Sequence, residues 1–388
     1  MRSKMKLRIL AGLASLACSM LVFTATHAAN SPSRDGDTWK NPIEAQAYKA
    51  WGQKLAQTPP STQGCFHATY PSVIWKPVAC NAATLPSGVR RAPAISSSPL
   101  INIPRISATP AAVDNTNGYV LVANGLITQT TASFPSVSGV TSTSDSLAGT
   151  DEYSLQILAA GPNVFPTYCN IHGGPANCSL YEQFVYATWP GRGAPPTNAF
   201  LITVYWLMNW GPSCPTDVLP SGSPWSSDGS GNCFGYGTPV SAPLVPPSQL
   251  GDVQLTVTET GAPLAPLIIA PPPRLIGSFN FTFTFTDGIQ AQASNLTDPD
   301  PLGLTFSWTQ STFNVFGQGI LGPSSGLNFN SGSSLTAQVT AAGAITSAVC
   351  AAQPIGSGAF TPANNLTPGT CTLSGGPVAP SIQFTESN

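Results

Sequence analysis

The sequence predicts an all-β protein, two antiparallel sheets packed as a sandwich, with one short helix near the N-terminus. Three observations carry that prediction: apolar–polar alternation in several segments, abundant Gly and Pro between them, and one stretch with helical spacing. The clearest alternation sets Phe279, Phe281, Phe283 and Phe285 between Asn280, Thr282, Thr284 and Thr286. A period of two sends every Phe to one face of a sheet and every Asn or Thr to the other.

In chain order, Arg2, Lys4, Lys6 and Arg8 precede an uncharged apolar run and the small residues of Thr26-His27-Ala28. That layout predicts a secretory signal peptide over residues 1–28 and an exported protein, extracellular or periplasmic. The run is too short, and too soon followed by polar chain, to read as a membrane span. Residues 29–110 read as a basic leader and linker. Within them Ile43, Ala47, Ala50, Trp51 and Leu55 recur at helical spacing until Pro59-Pro60, which predicts a helix over 41–55. The stretch 86–110 is rich in Pro, Ser and Arg, contains Arg90-Arg91, and reads as a linker or processing region. Residues 111–388 are assigned to the sandwich. Tyr153, Leu155 and Ile157 alternate with neighbours of the other face, as do Val253, Leu255 and Val257, then Leu304, Phe306 and Trp308. Leu335, Ala337 and Val339 continue the pattern, and Ile382 and Phe384 close it.

Only 8% of the residues are charged, against about 25% in an average soluble domain. From residue 30 to 105, eight basic residues face three acidic ones; beyond residue 105, Arg192 and Arg274 face thirteen carboxylates. A body with two cations holds few salt bridges, and protonating its carboxylates relieves self-repulsion, so tolerance of acid is expected. Nucleic acid is excluded as a partner because so few Lys and Arg cannot neutralise phosphates. Of nine cysteines, Cys18 lies in the signal segment. The remaining eight fall as neighbours, Cys65 with Cys80, Cys169 with Cys178, Cys214 with Cys233 and Cys350 with Cys371. An even count in an exported chain reads as disulfides, and local pairing is expected. No C-x-x-C spacing occurs and few histidines remain, so neither a metal nor a cofactor is expected.

Candidate ligand contacts come from the strand pattern over residues 200–210. Ile202, Val204, Trp206, Met208 and Trp210 share one face, Thr203, Tyr205, Leu207 and Asn209 the other. This places Trp206 in the core and turns Tyr205 and Asn209 toward a ligand. Gln183 and Glu182 are adjacent, so in a strand they face opposite ways, Glu182 being read as an exposed strand residue. Trp189, in a Trp-Pro-Gly-Arg-Gly turn, offers an indole able to stack on a sugar ring. The contact set is therefore Gln183, Tyr205, Asn209, Glu182 and Trp189, for an extended ligand, polysaccharide or peptide. Asp298-Pro299-Asp300 reads as a solvated turn. No Gly-x-Ser-x-Gly elbow stands at a strand-to-helix junction, and a Ser-His-Asp triad finds little support.

Several stretches resemble an exported bacterial family of uncharacterised proteins: Gly64-Cys65-Phe66-His67-Ala68-Thr69-Tyr70-Pro71-Ser72, Ser133-Phe134-Pro135-Ser136-Val137-Ser138-Gly139-Val140, Tyr153-Ser154-Leu155-Gln156 and Glu182-Gln183-Phe184-Val185-Tyr186. Tyr205-Trp206-Leu207, Phe313-Asn314-Val315-Phe316-Gly317 and Ile382-Gln383-Phe384-Thr385-Glu386-Ser387 extend the resemblance over most of the chain from Gly64. In its order of elements and charge split the chain is also similar to the glutamic peptidases of the eqolisin type. That resemblance implies a concanavalin-like sandwich, a basic propeptide and action in acid. In those enzymes a glutamate activates water and a glutamine amide holds the oxyanion. The glutamate precedes an aromatic strand that Ser311-Thr312-Phe313-Asn314-Val315-Phe316 resembles, and its place is taken here by Thr312, which has no titratable group near working pH. Two functions follow as expectations: a secreted ligand-binding sandwich, or an acid-acting glutamic-type peptidase or related hydrolase with a basic propeptide.

Overall fold

The computed structural model describes residues 34–35, 38–39, 42–80, 118–145, 149–164, 166–189, 198–229, 231–261, 277–317, 327–352 and 364–388. The signal segment and the 86–110 linker lie outside them. The described elements begin with β1 (Arg34–Asp35), β2 (Thr38–Trp39), α1 (Pro42–Gln57), β3 (Gly64–Thr69), β4 (Lys76–Val78), β5 (Tyr119–Asn124) and β6 (Ile127–Ser138). Next come β7 (Thr143–Asp145), β8 (Gly149–Thr150), β9 (Ser154–Gly161), α2 (Tyr168–Ile171), β10 (Ser179–Trp189), β11 (Asn198–Met208), β12 (Ser226–Ser227), β13 (Cys233–Tyr236) and β14 (Val240–Ala242). β15 (Val253–Thr260), β16 (Ser278–Asp287), β17 (Gln290–Pro299), β18 (Gln310–Phe316), β19 (Leu327–Phe329) and β20 (Ser334–Gly343) follow. The chain closes with β21 (Ser347–Ala352), β22 (Thr367–Pro368), β23 (Thr372–Ser374) and β24 (Ser381–Ser387).

Two antiparallel sheets make the sandwich. The nine-stranded sheet runs β12-β13-β11-β10-β9-β18-β5-β21, with β14 also on β11; the ten-stranded sheet runs β22-β24-β20-β6-β15-β16-β17-β3-β4, with β23 also on β24. Alternation explains how they close on each other. Phe279, Phe281, Phe283 and Phe285 all turn inward and are at most 5% exposed. Phe184 and Tyr186 of β10 meet them from the opposite sheet, Tyr186 stacking on Phe283 at 4.2 Å and Phe184 reaching Phe279 at 5.3 Å. Burying each such ring contributes about 1.5–3 kcal/mol. The four neighbouring cysteine pairs are the four disulfides. Cys350–Cys371 ties β21 of one sheet to the chain entering β23 of the other.

Three local expectations change. Residues 64–78, expected in a leader separate from the sandwich, supply β3 and β4, an edge of the ten-stranded sheet. The helix covers that edge with Trp51 and Leu55, which pack on Ala68 and Ala291, while Ile43 is left exposed. Leu304, Phe306 and Trp308, read as a strand, belong instead to a 3-10 turn over Leu304–Phe306 and the residues that follow it. Asp300 caps that turn by accepting from the backbone N–H groups of Leu304 and Thr305 at 3.0 and 2.9 Å, and Gly303 supplies the left-handed residue before it. Among the described residues, no helix is long and apolar enough to cross a membrane.

Candidate functional site

The parity of β10 and β11 decides where the expected contact residues go. Glu182 shares its face with Phe184 and Tyr186, and its cross-strand partner is Tyr205. Both therefore point between the sheets, at 0% and 1% exposure. This corrects the reading of Tyr205 as ligand-facing and of Glu182 as exposed. The face of β11 that carries Thr203, Tyr205 and Leu207 is the inward one, because Leu201 on the same face packs in the inter-sheet core. Asn209 is beyond the strand, half-buried in a left-handed turn, its N–H donating to Asn232 Oδ1 at 2.8 Å. Trp189 is the last residue of β10, paired with Asn198, and its side chain lies outside the described part.

Gln183 and Trp206 share the outer face of the nine-stranded sheet, so Trp206 is buried but not in the inter-sheet core. Trp206 Nε1 donates to Gln183 Oε1 at 2.7 Å, Gln183 Nε2 to Gln156 Oε1 at 3.1 Å, and Gln156 Nε2 to Ser154 Oγ at 2.8 Å. Ser154 Oγ donates in turn to the Gly317 carbonyl at 3.1 Å. Every donor in this chain points the same way, which fixes the orientation of both amides. Thr312 lies in the same layer, and its hydroxyl donates to the Tyr119 carbonyl at 2.7 Å. Glu259 is on β15 of the opposite sheet, paired with Phe279 on the inward face, and so does not share a face with Gln183.

Between the sheets the structure gathers a carboxyl cluster that the sequence does not announce. Asp300 lies within electrostatic reach of Glu182, Asp298 and Glu259, Glu182 also of Asp298, and the Tyr205 hydroxyl donates to Asp298 Oδ2. Asp298 and Asp300, expected in a solvated turn, are 5% and 2% exposed. Neither oxygen of Glu182 has a hydrogen-bond partner. Burial, reinforced by Asp300 and Asp298, pushes its carboxyl well above the usual carboxylate range. Burial likewise raises Asp298 and Asp300, and raises Glu259 to about 7 with help from Asp300. Among the described residues no group of three or more His, Cys, Asp or Glu is arranged to hold a metal ion.

The outer face of the ten-stranded sheet is a field of hydroxyls and amides. One row crosses six adjacent strands as Ser381, Thr340, Thr131, Thr256, Thr282 and Asn295. A second runs Gln383, Gln338, Ser133, Gln254 and Thr284, and a third Gln129, Thr258, Asn280 and Thr297. Neighbours in a row stand about 4.8 Å apart, the spacing of paired strands. None of these strand side chains is charged. Cross-strand bonds hold them: Gln129 to Thr258 at 3.0 Å, Thr282 to Asn295 at 2.8 Å, Thr297 to Asn280 at 2.7 Å and Gln338 to Ser381 at 3.1 Å. Ser381, Thr256, Thr282 and Asn295 of the first row and Thr284 of the second are at most 5% exposed, Thr131, Thr340, Ser133, Gln254 and Gln338 are half-buried, and Gln383 and Thr297 are exposed. A groove of about 770 Å³ runs between this face and α1, floored by Ser133, Gln254, Thr284 and Gln338 and walled by Tyr48 and Gln53.

No family model, no curated protein and no solved structure matches the chain. The sequence reading missed this field although its signal was present: the Asn and Thr residues between the phenylalanines were visible as a polar face, but only one strand at a time.

Proposed function

We propose that the protein is an exported sandwich that binds a neutral polysaccharide on the outer face of its ten-stranded sheet. The observation that carries this reading is the uncharged hydroxyl–amide field spanning six strands. A neutral sugar chain presents hydroxyls that donate and accept at short intervals and carries no charge. Ser, Thr, Asn and Gln also donate and accept, so they meet it without stripping water from an ion. Their cross-strand bonds hold them in place before binding, which reduces the ordering cost. The groove beside α1 adds Tyr48, half-buried against Tyr70, as an aromatic wall. The four disulfides and the predicted signal segment agree with work outside the cytoplasm.

The test is adsorption of the purified protein to insoluble cellulose, starch and chitin. The double variant Thr131→Lys/Gln338→Lys places two cations in the field at half-buried positions. It is expected to adsorb at least about tenfold more weakly, with the unfolding midpoint recorded in parallel to show that the variant is folded under the assay conditions. Failure of the wild-type protein to adsorb to any of the three sinks the reading.

An acid-acting hydrolase of the glutamic type is the second reading, and the fixed amide of Gln183 favours it. It needs a carboxyl on the same face, and the described outward residues of β9, β10, β11 and β18 include none. Release of peptides from denatured casein in acid would restore it.

A further inference from the structure

We infer that the carboxyl cluster between the sheets makes binding on the hydroxyl–amide face acid-dependent, which rests on the polysaccharide reading above. The cluster joins both sheets: Glu182 comes from β10 and Tyr205 from β11, while Glu259 comes from β15, Asp298 from β17 and Asp300 from the turn after it. Glu182 is the pivotal member, with 0% exposure and two unpartnered oxygens. The surroundings leave little room for relaxation. A Cβ on Gly237 would stand 2.5 Å from Asp298 Oδ2, and one on Gly277 would stand 2.7 Å from Thr305 Oγ1, whose hydroxyl binds Asp300 at 2.9 Å.

Among the described residues, the elements that build the cluster supply no compensating cation. β10, β11, β15, β17 and the Leu304–Phe306 turn contain no Lys, Arg or His. The next titratable neighbours are Tyr168 of α2, packed in one apolar cluster with Tyr205, its partner Asp217, and His172 stacked on the Tyr168 ring. With its protons on, the cluster is neutral. Successive ionisation places like charges close together in a poorly solvated space, so the protons leave in coupled steps. Burial raises the carboxyls of Glu182, Asp298 and Asp300 above their ordinary range and raises Glu259 to about 7. Carboxyls raised in the folded state give stability that is present in acid and is lost as pH rises through their folded values.

The consequence reaches the outer face through shared strands. Glu259 follows Thr258, Asp298 follows Thr297, and Asp298 pairs with Phe279 beside Asn280. The strand ends strained by ionisation are the ones that carry the row Gln129, Thr258, Asn280 and Thr297.

The experiment uses the full chain and insoluble cellulose, starch and chitin, with unfolding midpoints recorded in parallel. Wild-type adsorption is expected to be about tenfold weaker at about pH 8 than at about pH 5, with the midpoint falling over the same window. Glu182→Gln keeps the shape and removes the charge, and is expected to reduce both dependences. Glu259→Gln, at a half-buried position, serves the same purpose should Glu182→Gln not fold. Equal wild-type adsorption at both pH values overturns the acid dependence and leaves the polysaccharide reading standing. Absence of adsorption at every pH overturns the polysaccharide reading and, with it, any acid dependence of binding. The midpoints then judge the cluster alone, and equal pH slopes for wild type and variant remove its role as well.

Discussion

Glu386 offers a direct measurement of what a buried carboxyl does to this fold. It is 1% exposed on β24, and its oxygens accept from Asn314 Nδ2 at 2.8 Å and from Asn364 Nδ2 at 3.4 Å. Burial raises its carboxyl from the ordinary 4.5 to about 7, against the pull of the two amides. Between those values the folded state holds a proton that the unfolded chain has released, so stability falls as pH rises through the window. At about 1.36 kcal/mol per pKa unit, this shift removes on the order of 3 kcal/mol between acid and about pH 8. Glu386→Gln abolishes the titration but turns an amide N–H₂ toward a neighbouring donor, a mismatch costing about 1 kcal/mol. The variant is therefore expected to be about 1 kcal/mol less stable in acid and about 2 kcal/mol more stable at about pH 8. Urea unfolding followed by tryptophan fluorescence at both pH values reads the difference. Parallel stability curves for the two proteins across that range would refute the argument.

Two further expectations test the packing. Trp206→Phe removes the donor that fixes Gln183 and leaves a buried carbonyl oxygen unpaired, so a loss of about 1–3 kcal/mol is expected in urea unfolding. Adding Gln183→Leu should recover part of that loss, and strict additivity would show that the pair is not coupled. Phe281→Ala opens a cavity at a 0% exposed position beside Phe184, with an expected loss of about 3–5 kcal/mol; a loss below about 1 kcal/mol would contradict the inter-sheet core as described.

The acid tolerance expected from composition acquires a more specific physical basis here. In a body poor in cations, repulsion among carboxylates is relieved by acid. The fold instead buries Glu182, Asp298, Asp300 and Glu386, so that their protons are retained into the range where ordinary carboxyls have ionised.

By itself the sequence determined the all-β class, the helix ending before Pro59-Pro60 and the phenylalanines of β16 sharing one face, and it suggested the local cysteine pairs whose connectivity the structure decided. Each follows from local periodicity or from neighbours along the chain, which need no knowledge of partners. The tertiary structure alone decided the rest. Both faces of β11 carry large apolar side chains, so alternation sorted Tyr205 from Trp206 without saying which face meets the other sheet. The capped turn at Leu304 imitates a strand in sequence because Asp300, four residues earlier, is what bends it. The carboxyl cluster draws on β10, β15 and β17, and the hydroxyl–amide rows on six strands from β6 to β24. Period-two patterning assigns each residue a side within its own strand, whereas the register between strands, set by packing across the whole sandwich, brings distant residues together.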